Sequence, residues 1–369
     1  MMKEKLHPFQ IAVLIYMIQS GITIFSLPRI AAGAFGTNGW IGVAIISIIP
    51  MINILLIALV FHYGKGRSIF EIFEDLVPKV LLRPFFLCLA FLWCMLGILV
   101  GKNFGLLFKM LYLPELSPTV YLIFTLIFVY FLVSKGLYQI GKTTIIFFFM
   151  TIWSVSIMAL YIAEFKLDRL TPFIFKGEKE LLTQSFEILN AFLGYEIIIL
   201  IFPYILKSRA SIKAMFYGNL FTTFVIYVPI CFIAFGVLSF DQLKNETFPV
   251  LTLFEYIEFP FIERIESLIF SLFSLKALIT VVMFYWAGDQ VFRYSIPQIK
   301  PKVSIVILII ISFGISYIPQ FLLDVGNWLK WIGRIEAVIA MLLPIILLLI
   351  IGITTIKRKR NGSKNGEVL

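Results

Sequence analysis

Four stretches of this chain, 143–163, 214–240, 303–323 and 337–356, contain no Asp, Glu, Lys or Arg at all. An apolar run of ~20 residues, coiled at ~1.5 Å per residue, is long enough to cross a ~30 Å hydrocarbon layer. No water reaches backbone amides and carbonyls in that layer, so a crossing segment must bond its own backbone, as a helix does. The alternative, a closed barrel, needs short segments of alternating polarity, and the sequence has none. With 60% apolar and 14% charged residues over 369 positions, too little charge is left to coat a soluble domain. The expected class is an all-α membrane protein.

Hydropathy places about ten transmembrane helices, at 9–30, 39–61, 84–108, 118–133, 143–163, 184–206, 214–240, 265–287, 303–318 and 331–356. An even number puts both termini on one side. The segments sharing that side hold Lys3, Lys65, Arg67, Lys135, Lys142, Lys207, Arg209 and the tail Lys357-Arg358-Lys359-Arg360. The opposite loops hold Arg29, Lys166, Lys179 and Lys330 among others, and the excess is roughly two to one, so both termini are expected in the cytoplasm. That distribution also accounts for the net charge of +10 as a topology signal, with no nucleic-acid partner implied. The basic start and the small residues Ala31-Ala32-Gly33-Ala34 resemble a cleavable leader, but the apolar stretch is too long and is interrupted by Pro28. It is read as a retained first helix. Cys88, Cys94 and Cys231 fall in apolar spans and are read as packing residues.

Between spans two and three, Ser68 and Glu71 have capping-box spacing. Ile69, Ile72, Phe73 and Leu76 share one face and Glu71, Glu74 and Asp75 the other, which predicts a short helix lying at the cytoplasmic interface.

Chemistry is scarce. His7 and His62 are the only histidines, no Cys or His pair has metal-ligand spacing, and no glycine-rich phosphate loop precedes a Lys. No enzyme, cofactor or metal is expected. Polar interruptions inside the spans carry more information, because unwound backbone at membrane depth persists only where it lines a cavity. Span one contains Gln19-Ser20-Gly21-Ile22-Thr23 and then Pro28; span six contains Asn190, then Phe192, Gly194, Tyr195 and Glu196, and then Pro203. Breaks at corresponding places in two five-helix halves, 9–163 and 184–356, suit an inverted repeat that binds a small solute at the midplane. The whole of 1–369 is then one permease-like domain, ending in the basic tail 357–369. The half-helix amino termini would offer free amides to a carboxylate. The other reading of each break is a glycine that lets helices pack closely.

Lys276 sits mid-span, where a cation costs roughly 2.5–3.5 kcal/mol, with Thr280 and Phe284 on the same face. It either lines the cavity, as countercharge to a ligand carboxylate or to Glu196, or is buried against a structural partner. Lys102 and Asn103 form either a gate or cavity wall or an interface anchor. Asp289 with Arg293, and Arg334 with Glu336, read as solvated helix ends or helix-end pairs.

The chain resembles the B subunits of bacterial endospore germinant receptors, a branch of the amino acid–polyamine–organocation permease superfamily. The resemblance rests on pieces that run in order along nearly the whole sequence. They are Leu27-Pro28-Arg29 with Gly39-Trp40, Phe70-Glu71-Ile72-Phe73, Phe192-Leu193-Gly194-Tyr195-Glu196 with Pro203, Phe248-Pro249, and Glu263-Arg264-Ile265-Glu266-Ser267. It implies the broken-helix permease fold, ten spans, and sensing of small nutrients, often amino acids, in the spore inner membrane. It also implies an A subunit and a lipoprotein C subunit as partners. One departure stands out: superfamily members commonly carry Gly-x-Gly in the first break, where this chain has Gly21-Ile22-Thr23. A nutrient-sensing subunit is the leading expectation, a stand-alone secondary transporter of small solutes the alternative, and a membrane scaffold with no ligand the third.

Overall fold

A computed structural model describes residues 5–173, 175–177, 180–257 and 264–366, apart from the side chains of residue 22 and residues 358–366. Lys3, Lys179, Glu263 and the side chains of Ile22, Arg358, Lys359 and Arg360, all named above, lie outside the described residues.

The described residues are mostly helical. In order come α1 (Pro8–Gln19), a 3-10 turn (Ile22–Phe25), α2 (Leu27–Phe35), α3 (Gly39–Ile46), α4 (Ile48–Tyr63) and the short α5 (Ile69–Glu74). Then follow α6 (Lys79–Leu111), α7 (Pro118–Lys135), and α8 (Leu137–Ser156) running into a 3-10 stretch, Ile157–Ala163. The second half opens with α9 (Leu181–Asn190), a 3-10 turn (Tyr195–Ile197), α10 (Ile198–Ile201) and another 3-10 turn (Phe202–Tyr204). Next are α11 (Arg209–Phe221), a π-helical segment (Thr222–Tyr227), α12 (Val228–Val237), the short α13 (Phe240–Asn245) and α14 (Pro249–Glu255). The long α15 (Ile265–Ser295), α16 (Pro301–Ser316) and α17 (Leu322–Gly366) complete the chain. Among the described residues, seven helices are long and apolar enough to cross a membrane, and an eighth if α9 and Tyr195–Tyr204, bent by 47°, count as one. The two other expected spans correspond to α1 with α2, and to α16 with 16 residues.

Apolar side chains cover the outside as well as the inside. Phe124, Phe128 and Phe131 on α7, Ile146 and Phe149 on α8, and Leu349 on α17 are all exposed. Water would penalise that surface; lipid tails do not. The most enclosed helices are α6 and α15. Gly97, Gly101 and Gly105 recur one turn apart on α6 and let neighbours approach: a Cβ on Gly97 would come within 3.1 Å of Tyr285 on α15, while those on Gly101 and Gly105 would come within 3.2 Å of Leu122 and 2.9 Å of Tyr121, both on α7.

The interfacial helix forms as expected, with Ser68 and Glu71 in a reciprocal capping box and Ile69, Ile72 and Phe73 buried. Leu76 lies beyond its end and is exposed, so the apolar face is one residue shorter than the pattern suggests. The helix is clamped to the end of α15, with Phe70 stacked on Tyr294 at 4.4 Å and the Tyr294 hydroxyl donating to Glu74 (2.8 Å).

Both interruptions are real breaks. The last α-helical bond of α1 runs from Ser20 N–H to the Tyr16 carbonyl, after which Gly21 is extended (φ −79°, ψ −154°). Pro28 falls in the first turn of α2, where its missing N–H costs no bond. In span six, Gly194 takes φ +108°, which a side chain resists. The two broken spans run antiparallel, break against break. Leu6 pairs with Ile205, a Cβ on Gly194 would come within 2.1 Å of the Ile18 side chain, and Glu180 N–H donates to the Gly33 carbonyl. Two boundaries differ from expectation. Arg29 lies inside α2 and not in a loop, and α17 begins at Leu322, about two and a half turns before residue 331.

These two glycines separate in their tolerance of a methyl group. Gly194→Ala combines an unfavourable φ with a clash on Ile18 and is expected to cost on the order of 1–3 kcal/mol. Gly21→Ala, whose Cβ would meet nothing within 4 Å, is expected to leave stability unchanged. Thermal melts of the two detergent-purified variants beside wild type check this; equal losses would refute it.

Candidate functional site

Breaking a helix in a membrane frees carbonyls that water cannot reach, and each needs a donor. In span one the freed carbonyls are those of Met17, Ile18 and Gln19. Thr280 on α15 donates to Ile18 O (3.2 Å) and lies 3.4 Å from Met17 O, while the Tyr227 hydroxyl donates to Gln19 O (2.7 Å). In span six, Ala191 O lies 2.9 Å from the same Tyr227 hydroxyl, and Phe192 O accepts from Gln19 Nε2 (2.9 Å). Gln19 Nε2 also donates to Asn219 Oδ1 (2.8 Å) on α11. Tyr227 therefore sits at the junction, its hydroxyl shared between the two breaks. It projects from the π-helical turn just before Pro229, where the missing proline N–H already disturbs the helical ladder.

Beside this junction is a cavity of about 220 Å³, smaller than the ~300–1,000 Å³ that drug-sized ligands need. Its wall is largely apolar, from Ile18, Leu96, Val100, Leu193 and Phe284, with polar groups converging from both breaks and from α6, α15 and α17. Gly21, Thr23, Ser26 and Arg29 line it from span one, Glu187 and Asn190 from span six, and Asn103 and Thr280 from α6 and α15. Lys330 of α17 pairs with Glu187 (2.9 Å), linking α17 to α9 at its edge. With its amide nitrogen turned toward the Phe186 and Gly333 carbonyls (3.3 Å each), Asn190 also ties α9 to α17.

The expected site residues divide. Gln19, Gly21, Thr23, Asn190, Thr280, Asn103 and Phe284 line the cavity. Ser20, Phe192, Gly194 and Tyr195 are part of the breaks but face away from it: Ser20, Phe192 and Tyr195 are buried, with the Phe192 ring against Tyr227, and Gly194 packs on Ile18. Lys276 does not face Glu196 or the cavity. Its Nζ donates to the Tyr16 hydroxyl (2.7 Å) and lies 4.2 Å from the Phe273 ring centroid, so tyrosine and aromatic faces solvate the cation. Glu196 instead takes the Gly194 N–H on both oxygens (2.9 and 2.8 Å). Lys102 does not line the cavity; its ammonium donates to the Ser316 carbonyl, beside the Tyr317 ring. Asp289 and Arg293 form the expected pair (2.8 Å). Arg334 and Glu336 do not, because Arg334 lies over Trp331 while Glu336 is wholly buried and accepts from Trp93 Nε1 (2.8 Å).

Three contributors went unseen in the sequence. Tyr227 and Asn219 read as ordinary residues of a charge-free span, and Arg29 as a loop cation; the one available signal was Pro229 beside Tyr227, marking a disturbed helix.

Comparisons with known proteins agree on the lineage. A profile described as spore germination protein matches residues 5–325. The spore germination protein GerQB of Bacillus cereus is 27% identical over 350 residues, covering 93% of this chain and 94% of its own. Spore germination proteins B2 and A2 of Bacillus subtilis (strain 168) are 25% and 23% identical, covering 72% and 95% of this chain and 72% and 96% of their own. Among solved structures, MHP1, a nucleobase-cation-symport-1 family transporter in a closed conformation with bromovinylhydantoin bound, superposes with a TM-score of 0.66. That match covers 89% of this chain and 75% of MHP1 at 10% identity, so the fold is shared.

Removing the Tyr227 hydroxyl takes the donor from Ala191 O and leaves Gln19 O with the Gly21 N–H alone. Tyr227→Phe is expected to cost about 1–3 kcal/mol of stability, read as a lowered melting temperature in detergent, whereas Tyr217→Phe on the exposed face of α11 serves as a silent control. An unchanged melt for Tyr227→Phe would mean the junction does not hold the breaks.

Proposed function

The chain belongs to the spore germination protein family, and on that premise we propose that it is the nutrient-sensing B subunit of a germinant receptor. It is a multi-pass membrane protein with a transporter fold, and not an enzyme. In this reading it crosses the membrane ten times, in two five-helix repeats over 9–163 and 184–356, with both termini in the cytoplasm. The antiparallel, break-to-break arrangement of spans one and six supports the inverted repeat. The subunit sits in the spore inner membrane with an A subunit and a lipoprotein C subunit, and a small solute in the cavity biases the conformation they share.

The observation that carries the reading is the cavity between the breaks, and above all Arg29 in it. Arg29 forms no ion pair among the described residues, and its buried Nε has no hydrogen-bond partner. A half-buried guanidinium without an ion pair suits an anion, and its fork fits a carboxylate. Thr23 stands where bare glycine amides are common in related permeases; Arg29 supplies the positive charge from the next turn, and the Thr23 hydroxyl and Asn103 amide supply further polar contacts. An amino acid or similar carboxylate nutrient fits this set. Such a ligand binds in the micromolar to millimolar range at no more than ~1.5 kcal/mol per atom, and it shifts the receptor only if it prefers one conformer.

The second reading, a stand-alone transporter, draws on the shared fold of MHP1. A deletion strain challenged with a nutrient panel, with uptake of labelled solute measured in parallel, separates the two. Loss of germination toward one nutrient without loss of uptake is expected. Robust accumulation with intact germination would favour transport instead.

Arg29→Gln is expected to weaken the response to a carboxylate nutrient by roughly 10- to 100-fold, the size of a charged hydrogen bond of ~1.5–3 kcal/mol. A dose–response curve for germination in the complemented strain reads this. An unshifted curve would remove Arg29 from the site.

A further inference from the structure

Outside the lining of the cavity, two carboxyl groups meet in the protein interior. Glu196 follows the break in span six and is 1% exposed; Glu336 lies on α17 and is fully buried. Each is within hydrogen-bond reach of the other. No Lys, Arg or His pairs with either among the described residues: Lys276 on α15 is held by Tyr16, and Lys330 by Glu187. The groups that face the pair are Tyr195 from the same break and, from α6, the neutral indole of Trp93. On α4, the nearby Asn53 is neutral and donates to Ala340 O (3.0 Å).

Two adjacent carboxylates without a cation cannot both remain ionised at this depth. The donors show which one keeps its charge. Glu196 receives the Gly194 N–H on both oxygens, a geometry suited to a carboxylate. Glu336 receives one N–H, from Trp93 on Oε1, and its Oε2 is buried with no donor. An oxygen buried without a donor, on a carboxyl group within reach of a second one, is where a hydroxyl proton belongs.

We propose that Glu196 and Glu336 form a proton-binding site, with the proton carried on Glu336 Oε2 and donated to the Glu196 carboxylate. The proton clasps the break of span six to α17. Releasing it to solvent leaves two anions in contact, and the clasp opens. The same two elements wall the cavity, since Asn190 and Leu193 precede Glu196 in the break, and Lys330 and Gly333 precede Glu336 on α17. Protonation of the pair and the shape of the cavity are therefore linked. This inference stands whether or not the cavity binds a nutrient.

The test uses the full chain in lipid nanodiscs. Infrared spectra of wild type at neutral pH are expected to show the carbonyl band of a protonated, buried carboxylic acid, which disappears on alkaline titration and is missing in Glu336→Gln. Because the folded protein then holds a proton that the unfolded chain has released, the wild-type melting temperature is expected to fall as pH rises from neutral. The amide introduced by E336Q still donates to Glu196 at every pH, so the melt of that variant should lose the fall. Absence of the acid band from wild type at neutral pH overturns the proposal without need of any variant. So does a melting temperature raised by NaCl over choline chloride, with no acid band, because the pair would then hold a metal cation in place of the proton.

Discussion

A helix interrupted inside a bilayer must find donors for its freed carbonyls from other protein groups, and the architecture of this chain follows from where those donors are. Tyr227 serves both Gln19 O and Ala191 O, Thr280 serves Ile18 O, and Gln19 reaches across to Phe192 O. Each bond contributes only ~0.5–1.5 kcal/mol net, yet leaving its carbonyl bare costs ~1–3 kcal/mol. The breaks are therefore tolerable only together, face to face, with α11–α12 and α15 packed behind them. That requirement fixes the relative placement of four spans before any ligand is considered.

The same requirement gathers polar groups around the breaks. Donors and acceptors that close the breaks leave a few groups over, Gln19 Oε1 and the Arg29 Nε among them, and these border the cavity. Along α6 the packing is close, as in its glycine stripe. A solute that enters meets polar groups already held in position by backbone they must satisfy. Preorganisation of that kind lowers the ordering cost of binding a small molecule.

Much of this was legible in the sequence, for identifiable reasons. Charge-free runs gave the spans. Gln19-Ser20-Gly21 and Asn190 through Glu196 marked the breaks, because polar residues and glycine weaken a helix at mid-span unless the chain opens there. Ser68 and Glu71 specified the interfacial helix through local spacing alone. What could not be read was partnership across the fold. Lys276 and Glu196 looked complementary by charge, but each is closer to another group, Tyr16 and Glu336. Glu336 passed for a helix end because apolar patterning starts α17 too late; the helix begins at Leu322, in a stretch carrying Asp324 and Lys330 that hydropathy discounts. Tyr227 was invisible for the opposite reason, since an aromatic in an apolar span looks like any other packing residue.

Energetics limit what a solute can do here. Moving a two-state equilibrium from 1:99 to 99:1 requires ~5.5 kcal/mol of preference for one state. A millimolar ligand gains only ~4.1 kcal/mol in total, and a micromolar one ~8.2. Part of that gain is common to both conformers and shifts nothing. A nutrient bound by Arg29 and its neighbours can therefore switch the protein only if the two states are already nearly balanced. Span six and α17 are the elements to which this condition applies: they are tied by the Glu187–Lys330 pair, by the Asn190 amide and by the Glu196–Glu336 contact. Movement of α17 against the break would cost these polar contacts together with part of the buried apolar seam formed by Leu189, Leu193, Ala337 and Ala340.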